Sequence, residues 1–91
     1  MINKKRQKVS RALNLISSPL RVGIICALAD GEKTISELVK YTEAASNNLS
    51  QHIKIMELGG IVQKEKRGHF VVCSLKNDKI FGILTKLADC I

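Results

Sequence analysis

From Thr34 to Leu75 the spacing of apolar residues changes twice, and a helix-stopping or chain-turning residue marks each change. Ile35, Leu38 and Val39 recur at helical spacing, as do Leu49, Ile53 and Met56. Thr34, with Glu37 three residues on, forms a capping-box pattern, which predicts a helix over 35–41. Residues 42–46 make the turn, and a second helix runs over 46–58 until Gly59-Gly60 ends it. Ile61-Val62 then opens a strand, Arg67-Gly68 turns it, and Phe70-Val71-Val72 returns. A short helix, a tight turn, a helix with a polar outer face and a small hairpin admit few folds.

The flanks read as helices too. Val9, Ala12, Leu13 and Ile16 place a helix over 3–16. Ser17-Ser18-Pro19 interrupts it, with Ser18 as an N-cap and Pro19 at the first position of the next helix. That helix is apolar nearly all round up to Ala29, as a central core helix is, and Asp30-Gly31 stops it. Lys33-Thr34 is expected as a short extended link. After the hairpin, Asn77 or Asp78 caps a last helix through Cys90. Its Ile80, Ile83, Leu84, Leu87 and Ile91 make an apolar face wider than one small core needs, which predicts a dimer seam.

Ninety-one residues without an internal repeat or linker predict one domain, 1–91. A monomer of this size buries roughly 60–65% of its unfolded surface. With Tyr41, Phe70 and Phe81 as the only aromatics, its core rests on Ile, Leu and Val, and association is the natural supplement. No apolar run approaches the roughly 20 residues that span a bilayer. The basic N-terminal stretch precedes no secretory h-region. Three widely spaced cysteines do not suit a secreted disulfide framework, so a cytoplasmic protein is expected.

The net charge of +7 points to an anionic partner, and its distribution points to double-stranded DNA. Lys4, Lys5, Arg6, Lys8 and Arg11 precede any acid, and Lys64, Lys66 and Arg67 cluster at the hairpin, with His69 beside them. Off the buried stripe of helix 46–58 lie Asn47, Asn48, Ser50, Gln51, His52 and Lys54. Amides suit base edges, because Asn or Gln bonds adenine N6 and N7 together. Lys54 suits a phosphate, and so does Ser46 near the helix start. Thr34 and Ser36, at the start of the supporting helix, are expected to act likewise. His52 reads as a phosphate or surface residue.

The strings SSPLRVGIICAL, ISELVKYT, SNNLSQHIKIMELGGIV and KRGHFVVCSL together resemble the arsenic-repressor (ArsR/SmtB) family of winged-helix transcription regulators. The likeness runs from about Leu13 to the C-terminus. It implies a mainly α fold with a small β-hairpin wing, a winged helix-turn-helix in which four helices are followed by two strands and a fifth helix. It also implies a homodimer through the first and fifth helices, two reading helices on a palindromic operator, and repression by blocking polymerase. Ala44-Ala45 stand where the family often has Leu-Ser, which makes Ser46 the expected cap of its helix.

Metal-sensing relatives carry Cys-x-Cys in the third helix, where this chain has Ser36-Glu37-Leu38-Val39. Others use Asp and His pairs in the last helix; here Asp78 and Asp89 are present without a histidine, a poor donor set for zinc. No metal or other cofactor is expected. Cys26 and Cys90 resemble the redox and sulfide-responsive branch, in which a helix-two and a helix-five cysteine bridge. The plainer reading of Cys26, among Ile24, Ile25 and Leu28, is a buried small hydrophobe, and the same holds for Cys73.

Neither a catalytic group nor a small-molecule substrate is expected. His69 and Cys73, four residues apart on a strand, share a face but lack a pocket and an orienting third group. Two further readings stay open: a sequence-tolerant architectural DNA binder, and a winged-helix module that contacts protein.

Overall fold

The computed structural model describes residues 2–91. In chain order it contains α1 (Asn3–Leu15), α2 (Pro19–Ala29), β1 (Lys33–Thr34), α3 (Ile35–Thr42), α4 (Ser46–Leu58), β2 (Val62–Arg67), β3 (Phe70–Leu75) and α5 (Lys79–Asp89). The helix bounds follow the residue pattern closely, while the sheet is larger than the hairpin alone. Lys33 and Thr34 pair antiparallel with Cys73 and Val72, giving a three-stranded sheet of order β1-β3-β2. The extended link is therefore a strand, and it draws the start of α3 against the wing.

The core lies between α2, α3, α4 and the inner face of the sheet. Ile24, Ile25 and Ala27 of α2, Leu38 of α3, Leu49 and Met56 of α4, and Cys73 of β3 are fully buried. Leu49, Ile53 and Met56 fall on one α4 stripe because 3.6 residues make a turn. Cys73 packs as the small hydrophobe expected of it, and burial pushes its thiol pKa up, keeping it protonated and inert near neutral pH. Cys26 departs from that reading, since it is half-buried on the outer side of α2.

Local chemistry explains the helix ends. The Thr34 hydroxyl accepts from the Glu37 N–H at 3.1 Å, and the Thr34 N–H donates to the Glu37 carboxylate at 2.9 Å, closing the capping box. At the end of α4 it is Gly60, at φ 81°, that takes the left-handed conformation. Its N–H bonds Glu57 O while the Ile61 N–H bonds Met56 O, a Schellman arrangement. Gly59 serves a different purpose: a Cβ there would collide with the Leu15 side chain, so the bare backbone lets α1 approach. Ser18 holds the N-cap position of α2 without a side-chain bond, and Asn77 Oδ1, one residue before the Asp78 cap, accepts the Lys79 N–H.

Among the described residues, neither α1 nor α5 contains a fully buried side chain. Ile80 and Leu84 rest against the core, whereas Ile83, Leu87 and Ile91 stay exposed, as do Val9 and Leu13 on α1. No single helix among the described residues is long and apolar enough to cross a membrane.

Candidate nucleic-acid interface

Opposite the buried stripe of α4, Asn47, Gln51 and Lys54 follow one another at spacings of four and three and share the outward face. Ser46, Asn48 and Ser50 are exposed on its flanks. Rigid support comes from beneath, where α4 packs on α2, α3 and β2.

His52 stands apart from this set. It is half-buried, and its Nδ1 accepts from Arg21 Nε at 3.0 Å. Arg21 Nη1 in turn donates to Leu15 O at 3.0 Å. Through these two bonds the imidazole ties α4, by way of α2, to the last turn of α1. Sequence reading placed His52 with the exposed polar residues; the long-range arginine partner was not visible at a separation of 31 residues.

The two helix starts differ. At α3 the Glu37 carboxylate already sits on the Thr34 amide, and that backbone hydrogen bond holds its pKa below the usual value of 4.5. Thr34 is therefore committed to the cap, while Ser36 remains exposed. At α4 the N-cap is Ala45 rather than Ser46, which is the first helical residue. Ala45 has no oxygen to offer, so the first α4 amides lack a side-chain cap; only Asn48 N–H finds Asn47 Oδ1, at 2.9 Å. Of the two starts, α4's has the better chemistry for a phosphate.

On the wing, Arg67 pairs with Phe70 across a two-residue turn made by Gly68 and His69. Gly68 has φ 61°, the positive φ that a primed hairpin turn needs at its first central position. The turn lies one residue later than expected, so His69 is exposed at the tip and is no strand partner of Cys73. The three wing cations also have different surroundings. Lys64 lies 3.4 Å from Glu57 of α4. Arg67 is held by Glu32 and Glu65, with Nη1 to Glu32 Oε1 at 2.6 Å, Nη2 to Glu32 Oε2 at 3.0 Å and Nη2 to Glu65 Oε2 at 2.8 Å. The Arg67 guanidinium lowers the Glu32 pKa, and the two carboxylates raise that of Arg67. Among the described residues Lys66 alone of the three has no ion-pair partner.

The three cysteines are free thiols: Cys73 buried, Cys26 half-buried, Cys90 exposed just past the end of α5. Among the described residues no three His, Cys, Asp or Glu side chains gather into a group that could hold a metal ion.

Residues 18–64, just over half the chain, match the model of the arsR family of bacterial regulatory proteins. The HTH-type transcriptional repressor SmtB of Mycobacterium tuberculosis is 28% identical over 72 residues, 79% of this chain and 53% of that protein. The chain thus spans about half the length of that repressor. The structure of HlyU from Vibrio cholerae superposes with a TM-score of 0.86 at 25% identity, covering 98% of this chain and 97% of that one. A homodimeric winged helix-turn-helix DNA-binding domain from Mycobacterium bovis shares the fold, with a TM-score of 0.83 at 19% identity over 98% of this chain and 88% of that one. The helices, the sheet and the wing are those of a winged helix-turn-helix, and the chain belongs to the arsR family of bacterial regulatory proteins.

Proposed function

We propose that this chain is a cytoplasmic, non-enzymatic transcriptional repressor that binds a palindromic DNA operator as a homodimer. The observation that carries the reading is the outward face of α4. Asn47, Gln51 and Lys54 stand exposed on a helix whose opposite stripe, Leu49, Ile53 and Met56, is locked in the core. Such a helix enters the major groove with its amides at base edges. Asn48 and Ser50 flank the bases, Ser46 and the open amides of α4 meet a phosphate, and Lys66, His69, Lys64 and Arg67 follow the adjoining backbone. Ser36, exposed in the first turn of α3, is assigned to a backbone contact as well.

Dimerisation places two such helices on one duplex. Its support is the apolar surface left over on α1 and α5. Between them runs a groove of about 430 Å³, with Lys8, Arg11, Ala12 and Leu15 on one side and Gly59, Ile61 and Ile80 on the other. A disulfide between Cys26 and Cys90, both free thiols here, is the regulatory part of this reading; an external thiol oxidant takes the two electrons and two protons released as the S–S bond forms. It predicts a mass difference between oxidised and reduced protein that a Cys90→Ser variant loses.

Selection of bound duplexes from a random pool tests the function directly. A recovered palindrome is the expected result. Gln51→Ala then lowers affinity for it by about 1–3 kcal/mol and relaxes preference at one base pair. Lys66→Ala weakens all sequences alike. Equal loss on operator and random duplex for Gln51→Ala removes that residue from base reading.

One observation favours a second reading, contact with a protein. Leu58 and Ile55 are exposed on the outer side of α4 near its C-terminal end, 80% and 42% accessible respectively. Failure to bind any duplex at low salt would select it.

A further inference from the structure

We propose that Glu32 makes the wing discriminate between duplexes, by holding the Arg67 guanidinium in a carboxylate clamp that only a correctly seated DNA backbone displaces. The inference rests on the DNA reading above and adds a residue outside the reading helix and the hairpin.

The two Arg67–Glu32 bonds, 2.6 and 3.0 Å, run in parallel from different guanidinium nitrogens to different carboxylate oxygens. This is the fork geometry with which arginine takes a phosphate, so carboxylate and backbone compete for the same donors. Glu65, two residues earlier on β2, adds a third bond at 2.8 Å. Glu32 comes from the turn between α2 and β1, 35 residues away, so the clamp joins the wing to the body of the domain. Both partners are about half exposed, which leaves the pair open to a phosphate and screened enough to exchange.

With the clamp closed, two carboxylates surround one guanidinium, so Arg67 offers no net attraction to a backbone that merely drifts past. Among the described wing cations only Lys66 meets it unpaired. A duplex seated by α4 brings its phosphates to the wing at close range and takes over the arginine. Random duplex, docked loosely, does not. Glu32 therefore lowers non-specific binding more than operator binding.

The test measures wild type, Glu32→Gln, Arg67→Ala and the double variant against random duplex and against the selected operator over a range of salt. Glu32→Gln is expected to raise random-duplex affinity roughly two- to fivefold while operator affinity changes less, so the ratio of the two falls. The salt dependence on random duplex steepens by about one phosphate contact. In the Arg67→Ala background Glu32→Gln is expected to do neither. An equal gain in that background shows that Glu32 acts only as a removed negative charge, and overturns the clamp. Unchanged or weakened random-duplex binding by a folded Glu32→Gln protein overturns it as well. If wild type binds no duplex, the DNA reading falls and the clamp with it; if wild type binds and Glu32→Gln is neutral, only the clamp falls.

Discussion

The block from α2 to β3 and the pair formed by α1 and α5 use the same residue types to opposite ends. In the block, Ile24, Ile25, Leu38, Leu49, Ile53, Met56 and Val62 are removed from solvent, and each helix packs on two or more neighbours. In the pair, Val9, Leu13, Ile83 and Leu87 repeat at the same helical spacing yet remain at least two-fifths exposed. Ile16, at the corner between α1 and α2, is the only core member among the described residues on that side of the fold. Helical periodicity therefore records that a face will be covered, and is silent on whether the chain itself covers it. The block is finished within one chain, whereas the terminal helices keep an apolar face exposed.

Substitutions on either side sharpen this contrast. Leu49→Ala empties a fully buried site on α4, and a loss of roughly 2–5 kcal/mol in chemical denaturation is expected, independent of protein concentration. Ile83→Asp acts on the other region. It should abolish dimerisation in sedimentation and remove roughly 1.5–3 kcal/mol per protomer, a loss seen only at concentrations where wild type is associated. A wild type whose unfolding midpoint ignores concentration would break the comparison.

Gly59 lies where the two regions meet. Gly59→Ala drives a methyl group into Leu15 and should cost roughly 1–3 kcal/mol, with most of it restored when Leu15→Ala is added. Additive effects of the two changes would show that α1 does not depend on that approach. Thr34→Ala removes the α3 cap, and a loss of about 1 kcal/mol is expected inside the block, with the oligomeric state unchanged.

The smallest effect is acid-dependent. Because the folded Glu37 pKa lies below its ordinary value of 4.5, its contribution is fully present above that value. It is lost as pH falls through the folded value. Glu37→Gln should therefore flatten part of the acid limb of a stability–pH curve; an unaltered limb would deny the carboxylate that role.

Much of the candidate site was legible in the sequence wherever neighbours along the chain make the structure. The Leu49–Ile53–Met56 stripe, the Thr34–Glu37 box and the stop at Gly59-Gly60 each involve residues within a few positions, and the bounds of α4 follow from them. The start of α4 at Ser46 agrees with the sequence, but its cap lies one residue earlier than expected: Ser46 is the stronger capping type, yet Ala45 holds the extended cap conformation. The wing turn shifted by one residue for a related reason: strand register, Arg67 opposite Phe70, decides which residues turn. Cys26 escaped the burial expected of it because α2, apolar all round, does not reveal which side faces out.

Sequence alone determined the elements, their order and the polar face that α4 presents, since these rest on hydrogen bonds and side-chain spacings within a turn or two. Only the tertiary structure decided that Lys33 and Thr34 become a strand, that His52 is bound by Arg21, and that Arg67 is held by Glu32. Those contacts join residues more than 30 positions apart. A side chain's type says that it can donate or accept, but only the folded path of the chain chooses its partner.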